Sequence, residues 1–209
     1  MKEEQFHKLL EDYKQFVYSK LNKAEESDLL RLPKTEHTTQ KKITLGVLTH
    51  LQRQRLFLQG AMGFIDEMEE LRREINKDEN SDDAYKELGD VLFYLTCIEL
   101  SGFLEDRNPL FHGIAVGSLS LCTPLAMIEK LFVLLGLCKK LIFQTRYDLY
   151  EEISYNIGSI IMTIAYNYDC KTLEDLYEIF TKAINLNIEK LSKRYKKDFS
   201  IGESINRVE

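Results

Sequence analysis

The 209-residue sequence has no tryptophan, three prolines, ten glycines and four cysteines. So little glycine and proline, with hydrophobic residues at 44%, excludes a disordered chain and leaves enough apolar material for a buried core. A basic surplus is also missing. Lys and Arg number 28 against 34 Asp and Glu, a formal net charge of −6. That balance argues against binding of polymeric nucleic acid, which needs a basic track. Cys97, Cys122, Cys138 and Cys170 show no CxxC spacing and have no His or Cys placed as a second zinc ligand. They read as buried thiols in a reducing compartment. The most apolar stretch, residues 119–143, is broken by Pro124, Glu129, Lys130, Lys139 and Lys140. Its longest uncharged part falls short of the ~20 apolar residues of a membrane-spanning helix. The opening MKEEQFHKLLEDYKQF has no apolar signal core, so a soluble, cytoplasmic protein with no membrane partner is expected.

Other chemistries are absent too. There is no glycine loop to cradle phosphate and no G-x-S-x-G nucleophile motif. Glu4-x-x-His7 has the form of one di-iron ligand pair, but a di-iron bundle needs two. His37, His50 and His112 stand apart from any partner at useful spacing.

What is present is helical periodicity. Phe6, Leu9, Leu10, Tyr13, Phe16 and Val17 recur at steps of three and four and predict a helix over 3–21. Residues 22–45 are polar and predict a loop or short helix. A long helix is expected over 47–77, with Leu51, Leu58, Ile65, Met68, Leu71 and Ile75 as its apolar stripe. A polar break follows, with Asp82 or Asp83 as N-cap of a helix over 84–102. In that helix Leu88, Val91, Leu92, Leu95 and Ile98 face inward. Residues 105–123 read as a connection. Helices are then expected over 124–143, 148–167 and 172–197, the last capped by Thr172. No stretch alternates with period two. The expected architecture is a single all-α domain over 1–209, a helical bundle. It holds an acidic helix pair at 47–102 and a second helical block at 124–197.

Two strings carry the chemical interest. Gly63-Phe-Ile-Asp-Glu67-Met-Glu-Glu70 and Glu87-Leu-Gly-Asp90-Val-Leu-Phe-Tyr94 each contain acid-x-x-acid. A spacing of three places two side chains on one helical face. A short polar turn joins the two helices, so they pack antiparallel, and Glu67, Glu70, Glu87 and Asp90 are expected to meet across their groove. Four carboxylates in a partly buried groove repel unless cations enter. Carboxylates without His or Cys select hard cations, Mg²⁺ first and Mn²⁺ as its substitute. The same pattern also occurs on solvated helix faces. Two features weigh against that bland alternative. Gly89 sits mid-helix, where it costs about 1 kcal/mol relative to Ala, and Glu87 and Asp90 lie in one of the most apolar helices.

These strings resemble the E-x-x-E…E-x-x-D signature of the all-α nucleoside triphosphate pyrophosphohydrolases, the MazG-like and dimeric-dUTPase-like superfamily. Sixteen residues separate Glu70 from Glu87, within that family's range. Asn187-Ile-Glu-Lys190-Leu-Ser-Lys-Arg194-Tyr195…Phe199 resembles the N-x-x-K-L-x-x-R-Y…F ending of MazG-like chains, and Tyr13-Lys-Gln-Phe16-Val17 resembles their N-terminal helix. The resemblance implies a Mg²⁺-dependent hydrolase that converts an NTP or dNTP to the monophosphate and pyrophosphate, working as a homodimer. It implies that Glu67, Glu70, Glu87 and Asp90 hold Mg²⁺, with Glu67 or Glu70 also serving the attacking water. It further implies that Lys190 and Arg194 meet phosphates with Asn187 nearby. Positions 187, 190 and 194 share one helical face on spacing alone, although an exposed basic helix would show the same spacing. Tyr94 is a candidate for packing against the sugar or for the core. Gln59 is a candidate for sugar or base contact or for plain surface, and Lys77 is a weaker phosphate candidate.

The sequence departs from short family members in one respect. About 90 residues lie between Tyr94 and Asn187. One reading of this block is a degenerate copy of the acidic pair, with Ile128-Glu129-Lys130-Leu131 echoing the first helix and Tyr150-Glu-Glu152-Ile153 the second; the other is an insertion, since the family's longer, dUTPase-like members have comparable length. Phe132 and Tyr155 would stand where Glu70 and Asp90 stand, so the copy would not hold the same metals. The competing functional class is a non-catalytic helical module that binds nucleotides or partner proteins.

Overall fold

Phe6, Leu10, Tyr13 and Val17 fall on one face of a helix by their spacing, and all four are buried on α1 (Glu3–Ala24). The computed structural model describes residues 3–24, 50–102, 124–144 and 146–194. The order continues with α2 (His50–Asp78), α3 (Asp82–Leu100), α4 (Pro124–Gln144), a short 3₁₀ turn at Tyr147–Leu149, α5 (Tyr150–Asn167) and α6 (Leu173–Arg194). The fold is all-α, as the periodicity predicts. The polar stretch from 25 to 45, the connection at 105–123, Cys122, and Tyr195 through Phe199 lie outside the described residues.

Two local expectations need correction. The N-cap of α3 is Ser81, not Asp82 or Asp83. Its side chain accepts from the Ala84 N–H at 3.1 Å, and both aspartates fall in the first helical turn. The buried stripe of α2 is Phe57, Ala61, Phe64, Met68 and Leu71, whereas Leu58, Ile65 and Ile75 are half-buried. Thr172 caps α6 as expected. Its hydroxyl accepts from the Asp175 N–H at 3.2 Å, while the Asp175 carboxylate accepts from the Thr172 N–H at 2.8 Å.

Helix α3 lies at the centre of the site-bearing part. It packs on α2, with Leu88, Leu92, Leu95 and Ile98 buried in the shared core, and α6 and α1 cover its other sides. Each such fully buried leucine contributes roughly 1.5–3 kcal/mol. α1 is fixed on α6 by Phe6, which stacks on Tyr177 at a 4.4 Å centroid distance. α4 and α5 form a second hairpin, with α4 against α2 and Ile153, Ile157, Ile160 and Ile164 of α5 in the shared core. Among the described residues, no helix is long and apolar enough to cross a membrane. Cys97 and Cys138 are buried free thiols, as expected, but Cys170 is half-buried.

Candidate metal centre

Three residues, Glu79 to Ser81, separate α2 from α3, so the helices run antiparallel in close contact. Small residues let them approach. A Cβ at Gly60 would stand 2.8 Å from the Ile98 Cγ1 and 2.9 Å from its backbone nitrogen. A Cβ at Gly63 would stand 2.2 Å from the Tyr94 ring. One turn beyond Gly63, the acid spacing turns Glu67 and Glu70 toward Glu87 of α3. These three offer carboxylate oxygens that all lie within 4.8 Å of one another.

The electrostatics follow from that proximity. Glu67 is pushed up to about 8, first by burial and then by the charges of Asp90, Glu70 and Glu87, with Lys190 opposing. Glu87 is raised as well, chiefly by burial, although Lys190 pulls it down. Nearby acids behave differently. Glu69 is held at about 2 by Arg72, which donates to it at 2.7 and 2.9 Å, and by Arg73. None of the described residues forms an ion pair with Glu67, Glu70 or Glu87.

Asp90, the fourth expected ligand, is placed beside this trio and not within it. Gly89 explains why. A Cβ there would stand 2.7 Å from the Ala183 carbonyl and 2.8 Å from the Asn187 Cβ, so its absence lets α6 reach Asp90. The Asn187 Nδ2 donates to the Asp90 Oδ1 at 2.6 Å, and the Lys190 ammonium pairs with the Oδ2. The Asp90 charge still acts on Glu67. Asn187 is fully buried, and its Oδ1 accepts from the Tyr13 hydroxyl at 2.8 Å. Burial and the Asp90 charge hold the Tyr13 phenol well above its ordinary value, so it stays protonated as a donor.

The other expected site residues fall as follows. Lys190 is at the trio's edge, and Arg194 is exposed one turn further along α6. Tyr94 is half-buried, with its ring over Gly63 and edge-on to Phe93 at 5.3 Å, inside the α2–α3 contact. Gln59 is exposed on α2. Lys77 is exposed at the end of α2 and pairs with Glu74 at 2.7 Å. His7 pairs with Glu3 at the surface, 3.5 Å away. Tyr13 had no site role in the sequence reading, because its place in the apolar stripe marks it as core. The available signal was its hydroxyl, which needs a partner once buried.

None of the family models, curated proteins or solved structures compared with this chain matches it. A function therefore has to come from the chain's own residues. The donor set fits one kind of group. Three carboxylates at this separation, with neither thiolate nor imidazole among them, suit a hard divalent cation. A cation there also offsets the repulsion that adds to burial in raising Glu67.

Proposed function

We propose that this chain is a Mg²⁺-dependent nucleoside triphosphate pyrophosphohydrolase of the MazG-like and dimeric-dUTPase-like type. It would convert an NTP or dNTP to the monophosphate and pyrophosphate. The observation that carries the reading is the trio Glu67, Glu70 and Glu87, which converges without an ion-pair partner among the described residues, with Lys190 at its edge. Glu67, Glu70 and Glu87 would hold the ion, with Asp90 as the fourth carboxylate. Mg²⁺ there, or Mn²⁺ in its place, would neutralise triphosphate charge and make water a better nucleophile. Glu67 or Glu70 orients the attacking water and takes its proton. Water oxygen bonds to the α phosphorus, the bond to the α–β bridging oxygen breaks, and the electron pair leaves with pyrophosphate. Lys190 and Arg194 supply positive charge on the α6 side for that leaving group. On this reading the protein works in the cytoplasm on the nucleotide pool, in keeping with its free thiols.

The test is pyrophosphate release from a panel of NTPs and dNTPs with and without Mg²⁺. Glu70→Ala and Asp90→Ala are each expected to lower turnover about 100-fold or more. Full activity in either variant contradicts the site.

A second reading, a non-catalytic nucleotide-binding or protein-interaction module, is favoured by the apolar surface of the second hairpin. Phe132 is 71% exposed and Phe143 is 76% exposed. Calorimetry with Mg²⁺ and a non-hydrolysable triphosphate separates the readings. Binding without turnover of the natural triphosphates supports a sensor, and absence of binding supports an interaction module.

A further inference from the structure

Tyr13 links α1 to the site through a directional chain of hydrogen bonds. Its hydroxyl donates to the Asn187 Oδ1 at 2.8 Å, and the Asn187 Nδ2 donates to the Asp90 Oδ1 at 2.6 Å. The chemistry fixes the direction. An ionised carboxylate only accepts, so the Asn187 amide must turn its NH₂ toward Asp90 and its oxygen toward Tyr13. With the amide reversed, two acceptors would face each other. Another acceptor near the Tyr13 hydroxyl, the Gly89 carbonyl, is 3.4 Å away, so the proton goes to Asn187. Tyr13 is 1% exposed and Asn187 0%, so neither group can turn to water instead. A phenylalanine would fill the same space in α1. The hydroxyl is a polar group whose burial costs free energy unless it is used.

We infer that Tyr13 is a positioning residue for Asp90, acting through the Asn187 carboxamide. The inference rests on the metal-dependent reading of the site. Asn187 occupies one lone-pair direction of the Asp90 Oδ1 and so fixes the carboxylate plane. The Lys190 ammonium takes the Oδ2, and the second lone pair of the Oδ1 is left for a cation beside Glu67. Without the Tyr13 hydroxyl, Asn187 can rotate its amide, and Asp90 is left with Lys190 on its Oδ2 and no fixed donor on its Oδ1.

The experiment measures Mn²⁺ affinity from the spin-resonance signal of free Mn²⁺. It compares the full-length wild type, Tyr13→Phe, Asn187→Ala and the double variant, with thermal unfolding alongside. Tyr13→Phe is expected to weaken Mn²⁺ binding about tenfold and Asn187→Ala at least as much. In the Asn187→Ala background, Tyr13→Phe should add less than a factor of about two, because the two act in series. Unchanged Mn²⁺ affinity in folded Tyr13→Phe overturns the inference, and so does an equal loss in both backgrounds, which would mark a packing effect. Should Tyr13→Phe not fold, Asn187→Ala alone decides, and unchanged affinity there overturns it. If the wild type takes up no Mn²⁺, the metal reading falls and this inference with it. If the wild type takes up Mn²⁺ and the variants bind it equally well, the metal reading stands and Tyr13 is a core residue.

Discussion

Glu69 and Glu70 are neighbours on α2 with opposite surroundings. Glu69 is neutralised by arginines on its own helix, while Glu70 turns toward Glu67 and Glu87. The cost is concentrated at Glu67, whose carboxyl rises from an ordinary 4.5 to about 8, first by burial and then by the neighbouring charges. A carboxyl raised on folding binds its proton more tightly in the native state. Stability is therefore lost as pH rises from about 4.5 to about 8, and the penalty is complete above that window. Glu67→Gln removes the charge and should raise the melting temperature of the metal-free protein at pH 8.5. A gain of about 1 kcal/mol corresponds to ~2–4 °C for a chain of this length. At pH 5 the two proteins should melt nearly together. Thermal scans at both pH values in chelator check this, and an equal gain at both would show that the charge of Glu67 is not responsible. Lys190 is argued at the same scale. Its ammonium balances Asp90 in a half-buried place, so Lys190→Met leaves that carboxylate on Asn187 alone. Triphosphate affinity should fall about tenfold or more, measured by calorimetry with a non-hydrolysable analogue and Mg²⁺.

Helix approach depends on glycine at the points where backbone meets backbone. Ala at position 89 gains up to ~1 kcal/mol of helix propensity, yet its Cβ would meet the Ala183 carbonyl, which cannot yield without moving α6. Gly89→Ala should therefore destabilise by about 1–3 kcal/mol and pull Asn187 and Lys190 away from Asp90. Gly60→Ala should behave likewise, because the Ile98 backbone nitrogen stands in its path. The nearest atoms to a Cβ at Gly63 belong to the side-chain ring of Tyr94, which can shift, so the cost of Gly63→Ala should be smaller. Urea unfolding of the three variants checks this ordering, and Gly63→Ala as the worst of the three would contradict it. Element boundaries were legible where the signal is local. The steps of three and four in α1 and α3 marked their buried faces. The N-cap of α3 was misread because Ser81, Asp82 and Asp83, all capping types, stand in a row. The α2 stripe was misread because Phe57 and Phe64 lie one residue from Leu58 and Ile65, about 100° around the helix.

For the molecule as a whole, the acid trio could be read from spacing because both strings lie on one hairpin. The Asp90 partners could not be read from spacing, because they come from α6, 97 and 100 residues away, and Tyr13 is 174 residues from Asn187. Family resemblance implies that Lys190 meets phosphate with Asn187 nearby, and in the structure both side chains contact Asp90. The second hairpin carries Phe132 and Tyr155 at the positions that would correspond to Glu70 and Asp90, and both are exposed. If the proposed homodimer uses this face, Phe132→Asp together with Phe143→Asp should shift the sedimenting species toward monomer. An unchanged dimer would place the contact elsewhere.

The central proposal is metal-dependent cleavage of a triphosphate between its α and β phosphates. Phosphorus NMR of an NTP and dNTP panel incubated with the protein and Mg²⁺ tests it most directly. The expected spectrum shows nucleoside monophosphate and pyrophosphate growing in equal amounts, no growth in chelator, and no growth with Glu67→Gln or Glu70→Ala. Orthophosphate with nucleoside diphosphate, or no turnover of any triphosphate by the Mg²⁺-loaded wild type, would contradict it.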